Sequence, residues 1–160
     1  MADFEIKNGV AVIPEGVTAI DDCAFKDCSS LQSITIPESV TEIGGSAFEG
    51  CISLQSITIP EGVTEIGERA FIDCTSLQSI VIPKGVKKIE GSAFTGCTAL
   101  TTVTLPIGVN KIGETAFYVC EALTTIYVPA KKTDYYKQRL PVKLHSLIVE
   151  LQPEKKAKKK

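Results

Sequence analysis

Ile59-Pro60-Glu61-Gly62-Val63-Thr64-Glu65-Ile66-Gly67-Glu68-Arg69-Ala70-Phe71-Ile72-Asp73-Cys74-Thr75-Ser76-Leu77-Gln78-Ser79-Ile80-Val81 is the stretch on which the fold turns. Its apolar set is Ile59, Val63, Ile66, Ala70, Phe71, Cys74, Leu77 and Ile80, with polar residues between. Leu77-Gln78-Ser79-Ile80-Val81-Ile82 alternates at its end as a half-buried strand does. Pro83 then stops it, because it has no N–H to give a ladder. Val63-Thr64-Glu65-Ile66 is a second short extended piece, and Gly67 turns the chain. Residues 68–73 are too few for an independent helix and make at most one helical or 3-10 turn. Eight apolar groups cannot bury one another within 23 residues. Stacked on neighbours of the same pattern, they can.

Such neighbours lie on both sides. Ile-Pro-Glu stands at Ile13-Pro14-Glu15, Ile36-Pro37-Glu38 and Ile59-Pro60-Glu61, and Ile82-Pro83-Lys84 and Leu105-Pro106-Ile107 continue the 23-residue step without insertion. Val128-Pro129 opens a sixth unit that soon departs. Ala-Phe recurs at Phe25, Phe48, Phe71, Phe94 and Phe117. Cys follows three residues later at Cys28, Cys51, Cys74, Cys97 and Cys120, and Leu three further on at Leu31, Leu54, Leu77, Leu100 and Leu123.

Identical positions of stacked units line up in rows about 4.8 Å apart. The result is a quasi-one-dimensional solenoid, mostly β, with a parallel sheet on one side. Strands are predicted at 32–36, 55–59, 78–82, 101–105 and 124–128, with the five repeated Phe residues as a buried spine. The organisation read from the chain is a capping hairpin over 1–12, five repeats over 13–127, a C-terminal cap over 128–151 and a basic, disordered tail over 152–160. Asn8-Gly9 carries the hairpin, since both residues accept positive φ. In the C-terminal cap, residues 133–140 read as a short helix ending before Pro141, and 147–151 as a last strand.

The pattern L-x-x-I-x-I-P followed by V-x-x-I-x-x-x-A-F-x-x-C resembles the 23-residue leucine-rich repeat of the BspA-like (Treponema-type) bacterial surface antigens. The resemblance covers Ile13 to Tyr127. It implies a right-handed superhelix with short helical or 3-10 turns. It also implies a non-enzymatic function: binding a protein or glycan partner, adhesin-like, at the cell surface or secreted. The start Met1-Ala2-Asp3-Phe4-Glu5 lacks the basic end and apolar core of an export signal, which by itself points to the cytoplasm. A structural spacer, or a piece of a longer surface protein, is one alternative, and a redox or hydrolytic enzyme using Cys23 or His145 is a more distant one.

Composition narrows the chemistry. The 160 residues are 44% hydrophobic and 22% charged with net charge −2, so no overall excess of charge suggests nucleic acid. No apolar run reaches the ~20 residues of a membrane helix. His145, the one imidazole, lies outside the regular units beside Ser146, whose side chain would point the other way on a strand. No catalytic residue, cofactor site or metal ligand set is read. The five repeated Cys form a straight row, and ligands stepping by about 4.8 Å cannot converge on one zinc. They are expected to be buried, reduced and metal-free. Cys23 falls outside that row. It occupies a boundary position shared with Ser46, Arg69, Ser92 and Thr115, and is the candidate for a reactive thiol or a link to Cys28.

Two surfaces are candidates for a partner. The outward positions of the main strands form one row of Ser33, Ser56, Ser79, Thr102 and Thr125, and a second of Thr35, Thr58, Val81, Thr104 and Tyr127. Tyr127 is the natural anchor, with apolar area plus a hydroxyl. The other candidate is a charge gradient. Residues 1–83 hold 13 acids and 3 bases, and residues 84–160 hold 6 acids and 14 bases. Glu61 gives way to Lys84 and Glu65 to Lys88, so a dipolar rod able to self-associate is expected.

Overall fold

The computed structural model describes residues 4–153 of the chain. Of the expected tail, residues 154–160 lie outside the described residues. The chain winds into a solenoid of about six coils. Each full coil has a segment on a main face, a strand in a second sheet and a turn-rich third side.

At the N-terminus β1 (Ile6–Lys7) and β2 (Val10–Val12) form the expected hairpin, with Ile6 opposite Ala11. Asn8 and Gly9 have φ of 52° and 79°, the pair of positive values that a two-residue type I′ turn requires. β2 then lies parallel to β4 (Ser33–Thr35), Ala11 beside Ile34. The hairpin is therefore also the first rung of the main sheet. Further along, β7 (Ser79–Val81), β9 (Thr102–Thr104) and β11 (Thr125–Val128) run parallel in a register that sets Ile80, Val103 and Ile126 side by side in the core.

The second sheet is built from the other extended piece of each unit. It contains β3 (Ala19–Ile20), β5 (Glu42–Ile43), β6 (Glu65–Ile66), β8 (Lys88–Ile89) and β10 (Lys111–Ile112). All five are parallel and unbroken, with the isoleucines in register and buried.

On the third side the Ala-Phe segments divide their hydrogen bonds. Ala24 and Lys26 donate locally to Asp21 and Cys23, as a single turn does. The residues between donate to the next coil: Phe25 to Ala47, Phe48 to Ala70, Phe71 to Ala93 and Phe94 to Ala116, at 2.7 to 2.8 Å. This alternation needs left-handed residues, and Cys23, Ser46, Arg69 and Ser92 have φ between 54° and 60°. It satisfies the buried backbone that a turn on its own would leave unpaired.

One expected strand is absent. Residues 55–59 are not in a ladder, and the main sheet divides there into two sheets. The closing bonds seen elsewhere, Ile13 to Thr35, Ile82 to Thr104 and Leu105 to Tyr127, have no counterparts from Ile36 or Ile59. Gln55 still donates to Gln32, and Gln78 to Gln55, so the register is kept. The second sheet passes this coil without interruption. The separation is confined to the main face, where the backbone bonds that would join these strands into a ladder are not made.

Aromatic rings run through the core. Phe25, Phe48, Phe71, Phe94 and Phe117 are buried and stacked at centroid spacings of 5.1 to 5.5 Å. Phe4 extends the stack by one ring, 5.5 Å from Phe25. At the other end the cap consists of α1 (Thr133–Lys137), a 3-10 helix (Val142–Leu147) and β12 (Ile148–Glu150), which pairs parallel with β11. The 3-10 segment is an addition to the sequence-based expectation. Tyr136, Leu140 and Leu144 are buried over the last coil, and the Tyr136 hydroxyl donates to the Pro106 carbonyl. Burying such side chains stabilises by about 1.5–3 kcal/mol each, which is why an atypical unit can close the stack.

Candidate binding face

The strands dictate the site. Alternation sends Ile34, Ile80, Val103 and Ile126 inward and leaves their neighbours on the surface. Thr35, Ser56, Thr58, Ser79 and Val81 are exposed, while Ser33, Thr102, Thr104, Thr125 and Tyr127 are half-buried. Register places Ser79 beside Thr102 beside Thr125, and Val81 beside Thr104 beside Tyr127. Ser33 and Thr35 sit on the other sheet, beside Val10 and Val12.

The division of the sheet brings Ser56, Thr58, Ser79 and Val81 around a shallow pocket of about 330 Å³, closed at one side by Glu61 and Pro83. Its floor includes Ile57, a core residue that remains 9% exposed. Val81 is 62% exposed, in a row otherwise occupied mainly by Thr. Three more apolar residues belong to this face, and reading the regular repeats alone omits them. Val10 and Val12 enter it through the hairpin, Val12 being 63% exposed, and Val149 through β12 beside Tyr127. The alternation Val10-Ala11-Val12 is the signal that could have located the first two.

Charge is held elsewhere. Lys26 and Arg69 both reach Glu49 Oε1, at 3.4 and 3.3 Å, across three coils of the turn-rich side. A hydrogen bond from Ser46, together with these two cations, holds the Glu49 carboxyl below its usual range. The acidic residues Asp22, Glu42, Glu65 and Glu68 line a groove on the second sheet.

The remaining candidates are dispersed. All six cysteines are free thiols. Cys51, Cys74 and Cys97 are fully buried, whereas Cys28 and Cys120, at the ends of the row, are half-buried. Burial pushes Cys51 up to about 12 and Cys120 to about 11 from an ordinary value of 9.0, and raises Cys74 and Cys97 further. Cys23 is exposed at φ 60° on the turn-rich side. His145 lies in the 3-10 helix of the cap, with Nε2 2.9 Å from the Leu140 carbonyl oxygen. Neither is on the hydroxyl-lined face. Among the described residues no group of three His, Cys, Asp or Glu side chains could hold a metal ion, and no helix is long and apolar enough to cross a membrane.

A coil with a main-face segment, an Ile-Pro corner, a short second-sheet strand and an Ala-Phe-x-x-Cys return, repeated at 23 residues, defines a leucine-rich repeat protein. A family model described as the BspA-type leucine-rich repeat region, in six copies, matches residues 6–124, and the chain belongs to that family. A leucine-rich cell surface protein of Faecalibacterium prausnitzii shares 38% identity over 81% of this chain and 34% of its own, with a TM-score of 0.78. The T. pallidum leucine-rich repeat protein shares 37% identity over 74% of this chain and 57% of its own, TM-score 0.71. A leucine-rich repeat protein of Bacteroides ovatus is similar at 27% identity over 89% of this chain and 42% of its own, TM-score 0.67. The chain thus spans between about a third and somewhat over half the length of these structures. A search of curated proteins found no match.

Proposed function

We propose that this leucine-rich repeat module is a non-enzymatic receptor for a protein or glycan, and that the main sheet face receives the partner. One observation carries this reading: hydroxyl side chains stand in two regular rows, with Val12, Val81 and Tyr127 spaced among them as apolar anchors. Serine and threonine offer donors and acceptors at the ~4.8 Å rung repeat. The apolar members add area that excludes water, and Tyr127 combines both properties. The pocket beside Val81 offers a partner side chain or sugar ring a place to enter this face. Similarity to a cell surface protein supports a surface location for the parent protein. A spacer within a longer chain is the second reading, favoured by the share of those relatives that this chain spans.

A photo-crosslinking amino acid placed at Thr58 or Thr104, or at Thr41 on the second sheet, distinguishes the two readings. The probes are a printed glycan array and a panel of purified extracellular proteins. A receptor gives adducts to a panel member from Thr58 and Thr104, and none to a panel member from Thr41. A spacer gives no position-dependent adduct.

A further inference from the structure

The second sheet carries a charge pattern that the molecule itself leaves largely unanswered. Its outward row runs Glu42, Glu65, Lys88, Lys111 along β5, β6, β8 and β10. Neighbours in register one rung apart repel when their charges match, so the acidic pair and the basic pair each strain the row. Among the described residues, Lys111 alone of the four has an ion-pair partner, Glu90 at 2.8 Å. On the acidic side the surface is hollow. The hollow is a groove of about 610 Å³ walled by Glu42, Glu65 and Glu68.

The order acid, acid, base, base changes sign about its midpoint, between β6 and β8. Such a row is complementary to its own reverse. A two-fold axis lying in the contact plane, parallel to the strands and passing between β6 and β8, reverses the stack while keeping strand direction. It sets Glu65 opposite the partner's Lys88 and Glu42 opposite the partner's Lys111, each pair occurring twice. Long lysine stems from the basic half then enter the hollow of the acidic half. The contact is isologous and closes at two copies.

We propose that the second sheet is a homodimer interface, with a second copy of this chain, reversed along the solenoid axis, as its occupant. A purely basic partner would answer Glu42 and Glu65 and leave Lys88 unmatched, whereas the second copy answers both halves. The contact is electrostatic and exposed at its rim, so it weakens as salt shortens the screening length from ~10 Å at about 0.1 M to ~3 Å at about 1 M. It leaves the main sheet face free.

Sedimentation of the full chain at these two salt concentrations tests it. The wild type sediments as a dimer at low salt, and its dissociation constant rises at least about tenfold at high salt, a change of about 1.4 kcal/mol. Glu65→Lys and Lys88→Glu each give a monomer at low salt. The double variant E65K/K88E restores alternating opposition across the axis and recovers the dimer. Melting curves on every variant establish that it is folded. A wild type that stays monomeric at low salt overturns the proposal. So does a dimer that survives both single reversals, or a folded double variant that remains monomeric. A monomeric wild type that binds polylysine through Glu65 overturns it in favour of a basic partner.

Discussion

The Cys74 thiol donates to the carbonyl oxygen of Phe48, 26 residues earlier, at 3.2 Å. The contact recurs from Cys51 to Phe25, from Cys97 to Phe71 and from Cys120 to Phe94, each at 3.1 Å. Each thiol thus fills a small apolar space and also adds a bond between coils. That bond needs the proton, so the ladder is tied to pH.

The sign follows from linkage. In the unfolded chain these thiols ionise near 9.0, whereas burial keeps them neutral well above it, Cys51 to about 12 and Cys120 to about 11. Above pH 9 the unfolded state therefore binds fewer protons than the folded state, and stability falls as pH rises. The stabilisation is complete below pH 9. Each fully protected thiol then contributes a loss of about 1.4 kcal/mol per pH unit. Thermal melts from pH 7 to 11 should be flat to about pH 9 and drop steeply above it. Replacing Cys74 with Ala should make the drop shallower.

Thiol labelling at neutral pH should divide the cysteines in two. Cys23, exposed on the turn-rich side, should react first, and Cys51, Cys74 and Cys97 only as fast as the protein unfolds. Mass spectrometry of labelled peptides over time reads this directly. Rapid labelling of Cys74 in the folded protein would contradict the buried ladder.

The aromatic spine predicts a gradient of mutational cost. Phe71 has ring neighbours on both sides, Phe48 at 5.1 Å and Phe94 at 5.2 Å, while Phe117 has one, at 5.5 Å. Phe71→Ala should cost roughly 3–5 kcal/mol, as large core truncations do. Phe117→Ala should cost less, because the stack loses one aromatic contact there instead of two. Urea titrations of both variants compare them.

Val119 is a β-branched residue held at φ 57°. Its counterparts one and three coils back are Gly96 and Gly50, at φ 76° and 71°. Left-handed backbone costs a residue other than glycine roughly 1–3 kcal/mol. Glycine loses part of that gain to the entropy of the unfolded chain, roughly 0.5–1 kcal/mol. Val119→Gly should therefore stabilise by about 1 kcal/mol, read as a rise in melting temperature of about 2–4 °C.

The repeat made the core legible in the sequence. Phe, Cys and Leu at fixed steps fix which side chains meet, because each coil contacts only its neighbours. The outward rows followed from strand alternation. The division of the main sheet did not, and the reason is plain in the residues: Gln-Ser-Ile-Thr-Ile stands at both 32–36 and 55–59, yet only the first contributes a strand. Whether a strand pairs with the coils beside it is a property of the stack, which no single unit encodes. Phe4 was hidden because it lies 21 residues before Phe25 and breaks the 23-residue step. The 3-10 helix of the cap has no repeated counterpart from which to be read.

The proposed receptor face is tested most directly by one triple variant, Tyr127→Ala with Thr104→Arg and Thr58→Arg. It removes the anchor and places two large cations on the rows without touching the core. Binding to the glycan and protein panel, and the melting temperature, are measured on the same samples. The account predicts binding weakened at least about tenfold, a loss of about 1.4 kcal/mol, with a melting temperature close to that of the wild type. Unchanged binding by the triple variant, together with loss of binding on charge reversal at Lys88 and Lys111, would contradict it and move the site to the charged second sheet.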